Sequence, residues 1–309
     1  MSEILLSVVI PVRGHANELW FTLQGLLHAG FSERTEILVV DNDPSPDVRD
    51  VCSYFSRPFL RYIEAGEIKG VNYPRTIGAD AATGEWLMML DSHVLMAPSS
   101  YARITERINN NQYPARSLIH CGVSFGSPVI WGSYRLTLET NFWGDWHYPV
   151  RDNAQLPYPI AATGNWAFLT RLQDWKDYGG FNPAFRGYGG DEIYLQLKYW
   201  RSGGQVLLDP LLRGSHWSGP RTYSIVSKEL IVNTAIAGRV VVGSSFADRF
   251  HSSLCTTYQQ SGIDAALADE AVLQGIALAE QSVEASRLDQ SPLSFDDVLA
   301  HRQRHGMGI

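Results

Sequence analysis

The sequence predicts an α/β fold, a mostly parallel sheet flanked by helices, carrying a helical extension at its C-terminal end. Three observations predict it. Apolar runs of strand length alternate with helically spaced apolar residues over the first ninety positions. Those runs close on polar or acidic residues, as strands buried on both faces of a parallel sheet do. After about residue 220 the pattern turns to helical spacing alone.

Leu5 to Val12 is an apolar run in which Pro11 marks the end of a first strand. Leu19, Trp20, Leu23, Leu26 and Leu27 recur at helical spacing within Asn17 to His28, and Glu36 to Val40 forms a second buried strand closing on Asp41. Arg61 to Ile63 reads as a short third strand, Tyr73 to Ala82 as a helix, and Trp86 to Leu90 as a fourth strand ending at Asp91. Such alternation implies right-handed crossovers between parallel strands. From Asn110 to Tyr158 the pattern loosens into Gly, Pro and aromatic residues, among them Trp131, Tyr134, Phe142, Trp143, Trp146 and Tyr148, which reads as an acceptor-side region. Tyr223 to Ala237 and Asp264 to Arg287 read as packing helices, followed by a tail with Pro292. Two units follow, residues 1–220 carrying the sheet and 221–309 the helical extension.

The 309 residues are 45% hydrophobic and 18% charged, enough to bury a full core. A formal charge of -7 argues against a surface devoted to nucleic-acid backbones. Cys52, Cys121 and Cys255 are odd in number and widely spaced, which suits free thiols in a reducing compartment, and a cytoplasmic location is expected. The opening MSEILLSVVIPVRG lacks a basic leader and reads as a strand; nowhere do 18 apolar residues run together, so no integral membrane segment is expected.

Ligands of open α/β sheets sit outside the carboxyl ends of the strands. Asp41, Asp43 and Asp91 fall there, where carboxylates need partners, although Asp also starts turns and caps helices. Leu90-Asp91-Ser92-His93 puts an acid and an imidazole two residues apart after an apolar strand. In extended chain both point the same way, and the pair suits a transition metal such as manganese. Phe185 to Glu192 is a glycine-rich turn whose acidic pair, Asp191 and Glu192, opens a helix. Gly214-Ser215-His216-Trp217 brings a late imidazole. Each piece alone has an ordinary reading as turn, cap or surface histidine. Their joint order is more specific.

Taken together, SVVIPVRGHANELWFTLQGL, ILVVDNDPSPD, the run of Gly78 to Leu90 into Asp91, and GGFNPAFRGYGGDEIYLQLKYWRSGG resemble the GT-A glycosyltransferases of family 2 over roughly residues 5–217. The D-S-H form, the Gly-Tyr-Gly-Gly-acid turn and His216 are also similar to the active site of polypeptide N-acetylgalactosaminyltransferases, where the metal motif is likewise D-x-H. The resemblance implies a GT-A, Rossmann-like fold and metal-dependent transfer of a sugar from a UDP-sugar donor to an acceptor hydroxyl. It implies that Asp91, His93 and His216 hold a divalent metal, manganese or else magnesium. Asp191 or Glu192 is the implied base for the acceptor. Pro11, Val12, Arg13 and Asp41 fall where the family contacts uracil and ribose, with Asp43 grouped beside them, Arg75 near the diphosphate and Gly164 against the donor sugar.

Most family 2 members invert the anomeric centre whereas the N-acetylgalactosaminyltransferases retain it, and inversion is the reading preferred here. Two departures bear on the base contacts: Arg13-Gly14-His15 precedes Asn17-Glu18, and Asp41-Asn42 stands where an aspartate pair is usual. The acceptor is left open between saccharide, peptide and modified base. Competing functions are a transferase acting on a modified DNA base and a non-catalytic nucleotide-sugar-binding module. A dinucleotide-dependent oxidoreductase is set aside, because no G-x-G-x-x-G follows the first strand.

Overall fold

The computed structural model describes residues 4–31, 34–55, 59–137, 143–217, 225, 227–282, 288–289, 291 and 293–304. The first ninety residues build β1 (Leu6–Val12), α1 (Ala16–His28), β2 (Thr35–Asp41), α2 (Pro46–Tyr54), β3 (Leu60–Glu64), α3 (Asn72–Ala81) and β4 (Trp86–Leu90). Each strand pairs in parallel with its neighbour, in the order β3-β2-β1-β4. Alternate residues of these strands serve opposite faces of the sheet. Val9, Leu38, Val40, Leu87 and Met89 pack on one side. Val8, Ile10, Ile37, Val39, Met88 and Leu90 pack on the other, against Leu19, Leu23 and Leu26 of α1.

The middle of the chain adds β5 (Val94–Met96), α4 (Ser100–Asn109), β6 (Ser117–Ser124), β7 (Trp131–Thr137), β8 (Trp143–Pro149), β9 (Tyr158–Pro159), β10 (Ala167–Arg171), α5 (Leu172–Tyr178), α6 (Asp191–Arg201) and β11 (Gln205–His216). β10 enters the sheet antiparallel between β4 and β6, β11 lies parallel to β6, and β5 closes the edge antiparallel to β11. The sheet is therefore mixed rather than uniformly parallel. The region expected to loosen after Asn110 in fact carries β6 to β9, with β7 and β8 forming a hairpin whose partners include Tyr134 and Trp146. Its glycines are packing residues: a Cβ on Gly132 would sit 2.7 Å from a Leu208 methyl, and one on Gly144 would sit 2.6 Å from the Tyr134 ring.

Four further helices follow among the described residues: α7 (Ser227–Val242), α8 (Phe246–Gln260), α9 (Ala265–Glu280) and α10 (Phe295–Arg304). The start expected for a helix at Tyr223 and the division at 220/221 lie outside the described residues. α7 is almost wholly buried from Ile231 onward, as a helix apolar around its circumference must be. It packs Ile231, Ala235 and Ile236 into the same core as Ile193 and Leu197 of α6. No described helix is long and apolar enough to cross a membrane.

Candidate functional site

A cleft of about 930 Å³ opens at the carboxyl ends of β1 and β4, where the loops after those strands meet the glycine turn before α6 and the end of β11. Sheet register builds its centre. β5 pairs antiparallel with β11 so that Val94 stands opposite His216. The backbone N–H of Trp217 donates to the carbonyl of His93 at 2.9 Å. Residues 123 positions apart are thereby held side by side, with His93 Nε2 3.1 Å from His216 Nε2. Asp91 arrives from the end of β4, its Oδ2 3.4 Å from His216 Nε2. The three donor atoms lie within 4.8 Å of one another.

Two imidazole nitrogens facing at 3.1 Å, with a carboxylate alongside, are a donor set that could hold a divalent transition metal. Burial lowers the pKa of His93, opposed by Asp91, and so favours the unprotonated ring that a metal requires. Burial works to raise that of Asp91, but the Arg75 guanidinium and the His216 hydrogen bond overcome it and hold the carboxyl well below the usual range.

Arg75, buried on α3, ties this corner to the acids at the start of α6. Its Nη2 donates to Asp91 Oδ1 at 2.7 Å and to the Asn165 carbonyl at 3.3 Å, while Nη1 reaches Asp191 Oδ2 at 3.3 Å. Asn165 Nδ2 also donates to Asp191, at 3.4 Å. Glu192 differs. Its Oε2 accepts from the Tyr134 hydroxyl at 3.0 Å and its Oε1 from the Asn165 backbone N–H at 3.4 Å, and neither contact is to a cation. Burial, then the charge of Asp191, raises the Glu192 pKa; burial also raises that of Asp191. Gly164 lies beside this pair, where a Cβ would come within 3.0 Å of the Tyr134 hydroxyl and 3.1 Å of Trp146.

The opposite wall is a backbone clamp. Gly70 and Gly187 form a parallel bridge, Val71 N–H donating to the Gly187 carbonyl at 3.2 Å and Gly187 N–H to the Lys69 carbonyl at 3.1 Å. A Cβ on Gly70, whose φ is 108°, would stand 2.3 Å from the Gly187 oxygen, so only glycine fits. Asn233 of α7 holds the same turn: its amide donates to the carbonyls of Arg186 and Tyr188 and its Oδ1 accepts from Arg186 N–H. Glu229, one turn earlier on α7, reaches the cleft.

Of the residues singled out from sequence, Pro11, Val12, Arg13, Arg75, Asp91, His93, Gly164, Asp191, Glu192 and His216 line the cleft together. Asp41 and Asp43 do not line it. Asp41 is fully buried, accepting from Asp43 N–H, Ser45 N–H and the Tyr62 hydroxyl, so it builds the turn after β2. Asp43 sits outside, 3.4 Å from Arg13 Nε. Asn42 reaches the cleft instead, with a buried Oδ1 that has no hydrogen-bond partner among the described residues. Sequence reasoning missed Asn42, Tyr134, Asn165, Glu229 and Asn233 as site residues. The signals were thin: Tyr134 stood in the aromatic stretch, Asn165 followed Gly164, and the spacing of four puts Glu229 and Asn233 on one helix face.

Residues 7–170 match the family model described as glycosyl transferase family 2. The chain belongs to that family. The chain is also similar to polypeptide N-acetylgalactosaminyltransferase 4 of Mus musculus, 23% identical over 246 residues, covering 72% of this chain and 42% of that protein. The inactive polypeptide N-acetylgalactosaminyltransferase-like protein 5 of Macaca fascicularis is 25% identical over 201 residues, 60% of this chain and 44% of that one. The chain spans less than half the length of these curated relatives. The crystal structure of GalNAc-T7 with UDP, GalNAc and Mn2+ superposes with a TM-score of 0.67 at 16% identity, covering 94% of this chain and 59% of that chain; this likeness is one of fold.

Proposed function

We propose that this family 2 chain is a metal-dependent glycosyltransferase that moves a sugar from a UDP-sugar to an acceptor hydroxyl. The observation that carries the proposal is the convergence of Asp91, His93 and His216 within 4.8 Å, at the rim of a cleft that also holds the buried Asp191 and the half-buried Glu192. The solved neighbour bound to UDP and Mn2+ supports the choice of donor and ion. Asp91, His93 and His216 would hold the ion, manganese or magnesium, which supplies Lewis-acid stabilisation of the charge on the departing diphosphate. Pro11, Val12 and Arg13 lie where the nucleoside would rest, and the partnerless Oδ1 of Asn42 offers an acceptor for a base N–H.

Arg75 has both terminal nitrogens engaged, so its role is to fix the Asp91 and Asp191 carboxylates in place. Glu192 is the better proton acceptor of the acidic pair. It makes no ion pair among the described residues, and its raised pKa suits general-base work near neutrality, which favours an inverting reaction. Residues 1–220 form the catalytic unit, to which the helices after 221 contribute the Asn233 anchor. The three cysteines, all buried and free, support a reducing, cytoplasmic location. The acceptor stays open among saccharide, peptide and modified base.

Release of UDP from a panel of UDP-sugars, with and without Mn2+, tests the proposal against Asp91→Ala. Turnover should require the ion and fall by a hundredfold or more in the variant. Undiminished turnover in the variant rejects the assignment, and tight UDP binding with no sugar ever released favours the non-catalytic reading.

A further inference from the structure

A second cluster of metal-ligating side chains lies away from the cleft, between α8 and α9. His251 and Cys255 stand four residues apart on α8 and so share one face of that helix. Asp269 faces them from α9, its Oδ1 3.0 Å from His251 Nε2. The Cys255 sulfur is 3.9 Å from the same nitrogen. All three donor atoms fall within 4.8 Å of one another.

That both partners address the same imidazole nitrogen decides between two chemistries. A nucleophilic relay needs the thiol on one ring nitrogen and the carboxylate on the other, so that one accepts a proton while the opposite N–H is held. Here sulfur and carboxylate converge on Nε2, the arrangement of three donors around one point. Tetrahedral zinc, with Zn–S about 2.3 Å and Zn–N about 2.0–2.1 Å, sets donor atoms about 3.3–3.6 Å apart. The observed separations of 3.0 and 3.9 Å bracket that span. We propose that His251, Cys255 and Asp269 form a zinc-type metal site that ties α8 to α9, with solvent completing the fourth position.

Solvent can reach it, because the His251 side chain is 26% exposed and that of Asp269 53%. Binding breaks one S–H bond and forms one metal–sulfur bond, the proton passing to buffer with no change of oxidation state. Burial and the neighbouring Asp269 raise the thiol pKa, so the metal-free cysteine is a poor nucleophile and the ion must displace its proton. Thiolate in the donor set separates this site from the cleft: Asp91, His93 and His216 offer nitrogen and oxygen only, whereas the soft sulfur of Cys255 favours zinc.

Cobalt(II) titration of the full chain reads the two sites apart, because only a thiolate ligand gives intense sulfur-to-cobalt charge-transfer absorption in the near ultraviolet. The expected result is one equivalent of Co2+ bound with that band, displaced by an equivalent of Zn2+ and unchanged in Asp91→Ala. Cys255→Ser should abolish the band and His251→Gln weaken Co2+ binding at least tenfold, with far-ultraviolet circular dichroism checking that each variant is folded. Cobalt bound by the parent protein without the band overturns the proposal, and so does a band that survives in Cys255→Ser. The parent measurement decides by itself should a variant fail to fold.

Discussion

Removing the Tyr134 hydroxyl is the sharpest perturbation of the proposed base. Tyr134 is 6% exposed and donates to Glu192 Oε2 at 3.0 Å; a second donor to that carboxylate, the Asn165 N–H, is longer at 3.4 Å. Phenylalanine keeps the ring and its packing against Trp146, so the substitution deletes a hydrogen bond and little else. A hydrogen bond to a charged group contributes about 1.5–3 kcal/mol. At about 1.36 kcal/mol per pKa unit, Tyr134→Phe should move the acidic limb of the pH–rate profile upward by about one to two pH units. The sign follows from which form is held: the hydroxyl donates to the ionised carboxylate, so losing it favours protonation, and the base is lost at a higher pH. On the acidic side of both limbs, kcat/KM should therefore fall about ten- to a hundredfold. The assay is UDP release under saturating Mn2+, parent and variant in matched buffers from pH 5 to 9. His93 and His216 are unchanged in the variant, so a difference between the two curves is not assigned to the metal corner. Superimposable limbs would refute both the role of Glu192 and the reasoning that leads to it.

Glu192→Gln should cost activity yet raise stability. Burial lifts the Glu192 pKa, so its contribution is full below the ordinary carboxylate value and drains away as pH rises through the folded-state value. The variant is thus expected to melt a few degrees higher than the parent at pH 9, roughly 2–4 °C per kcal/mol, with little difference at pH 4 by differential scanning fluorimetry. Gly70→Ala drives a methyl to 2.3 Å from the Gly187 oxygen at a φ of 108° and should cost about 3 kcal/mol or more in urea unfolding; a loss below 1 kcal/mol would contradict the clamp. Asn233→Ala removes the bonds to Arg186 and Tyr188, about 1–3 kcal/mol for each buried group left unpaired, and should lower kcat/KM about tenfold. Manganese affinity by isothermal titration should stay within twofold in that variant, since Asn233, on α7, holds the glycine turn through Arg186 and Tyr188 rather than touching Asp91.

The βαβ start and the acidic strand end at Asp91 were legible because a parallel strand buried on both faces has nothing but apolar residues to show, and its first polar residue marks the edge. β10 was not. Ala167 to Arg171 is short, and the pairing that makes it a strand lies with β4 and β6, distant along the chain. The hairpin of β7 and β8 was hidden by Gly132 and Gly144, which break the alternation for reasons of packing that appear only once Leu208 and Tyr134 stand against them. The metal corner was readable as residue types in order, whereas its geometry depends on the register of β5 with β11. Asp41 shows what the sequence leaves open: a carboxylate at a strand end looks the same in sequence whether it faces a ligand or ties its own turn, as Asp41 does with Asp43 and Ser45.

Charge explains why the donor and the ion should bind as a pair. Five carboxylates line the cleft (Glu18, Asp91, Asp191, Glu192 and Glu229), against four permanent cations, Arg13, Lys69, Arg75 and Arg186. Arg75 is already committed to Asp91 and Asp191. A diphosphate entering this cleft adds further negative charge to walls on which carboxylates outnumber permanent cations, and in a partly desolvated site that repulsion is weakly screened. On the proposed assignment, a divalent ion held by His93, His216 and Asp91 would reverse the local balance at that corner of the cleft. Metal and nucleotide should therefore raise each other's affinity by the same factor, because linkage between two ligands is reciprocal.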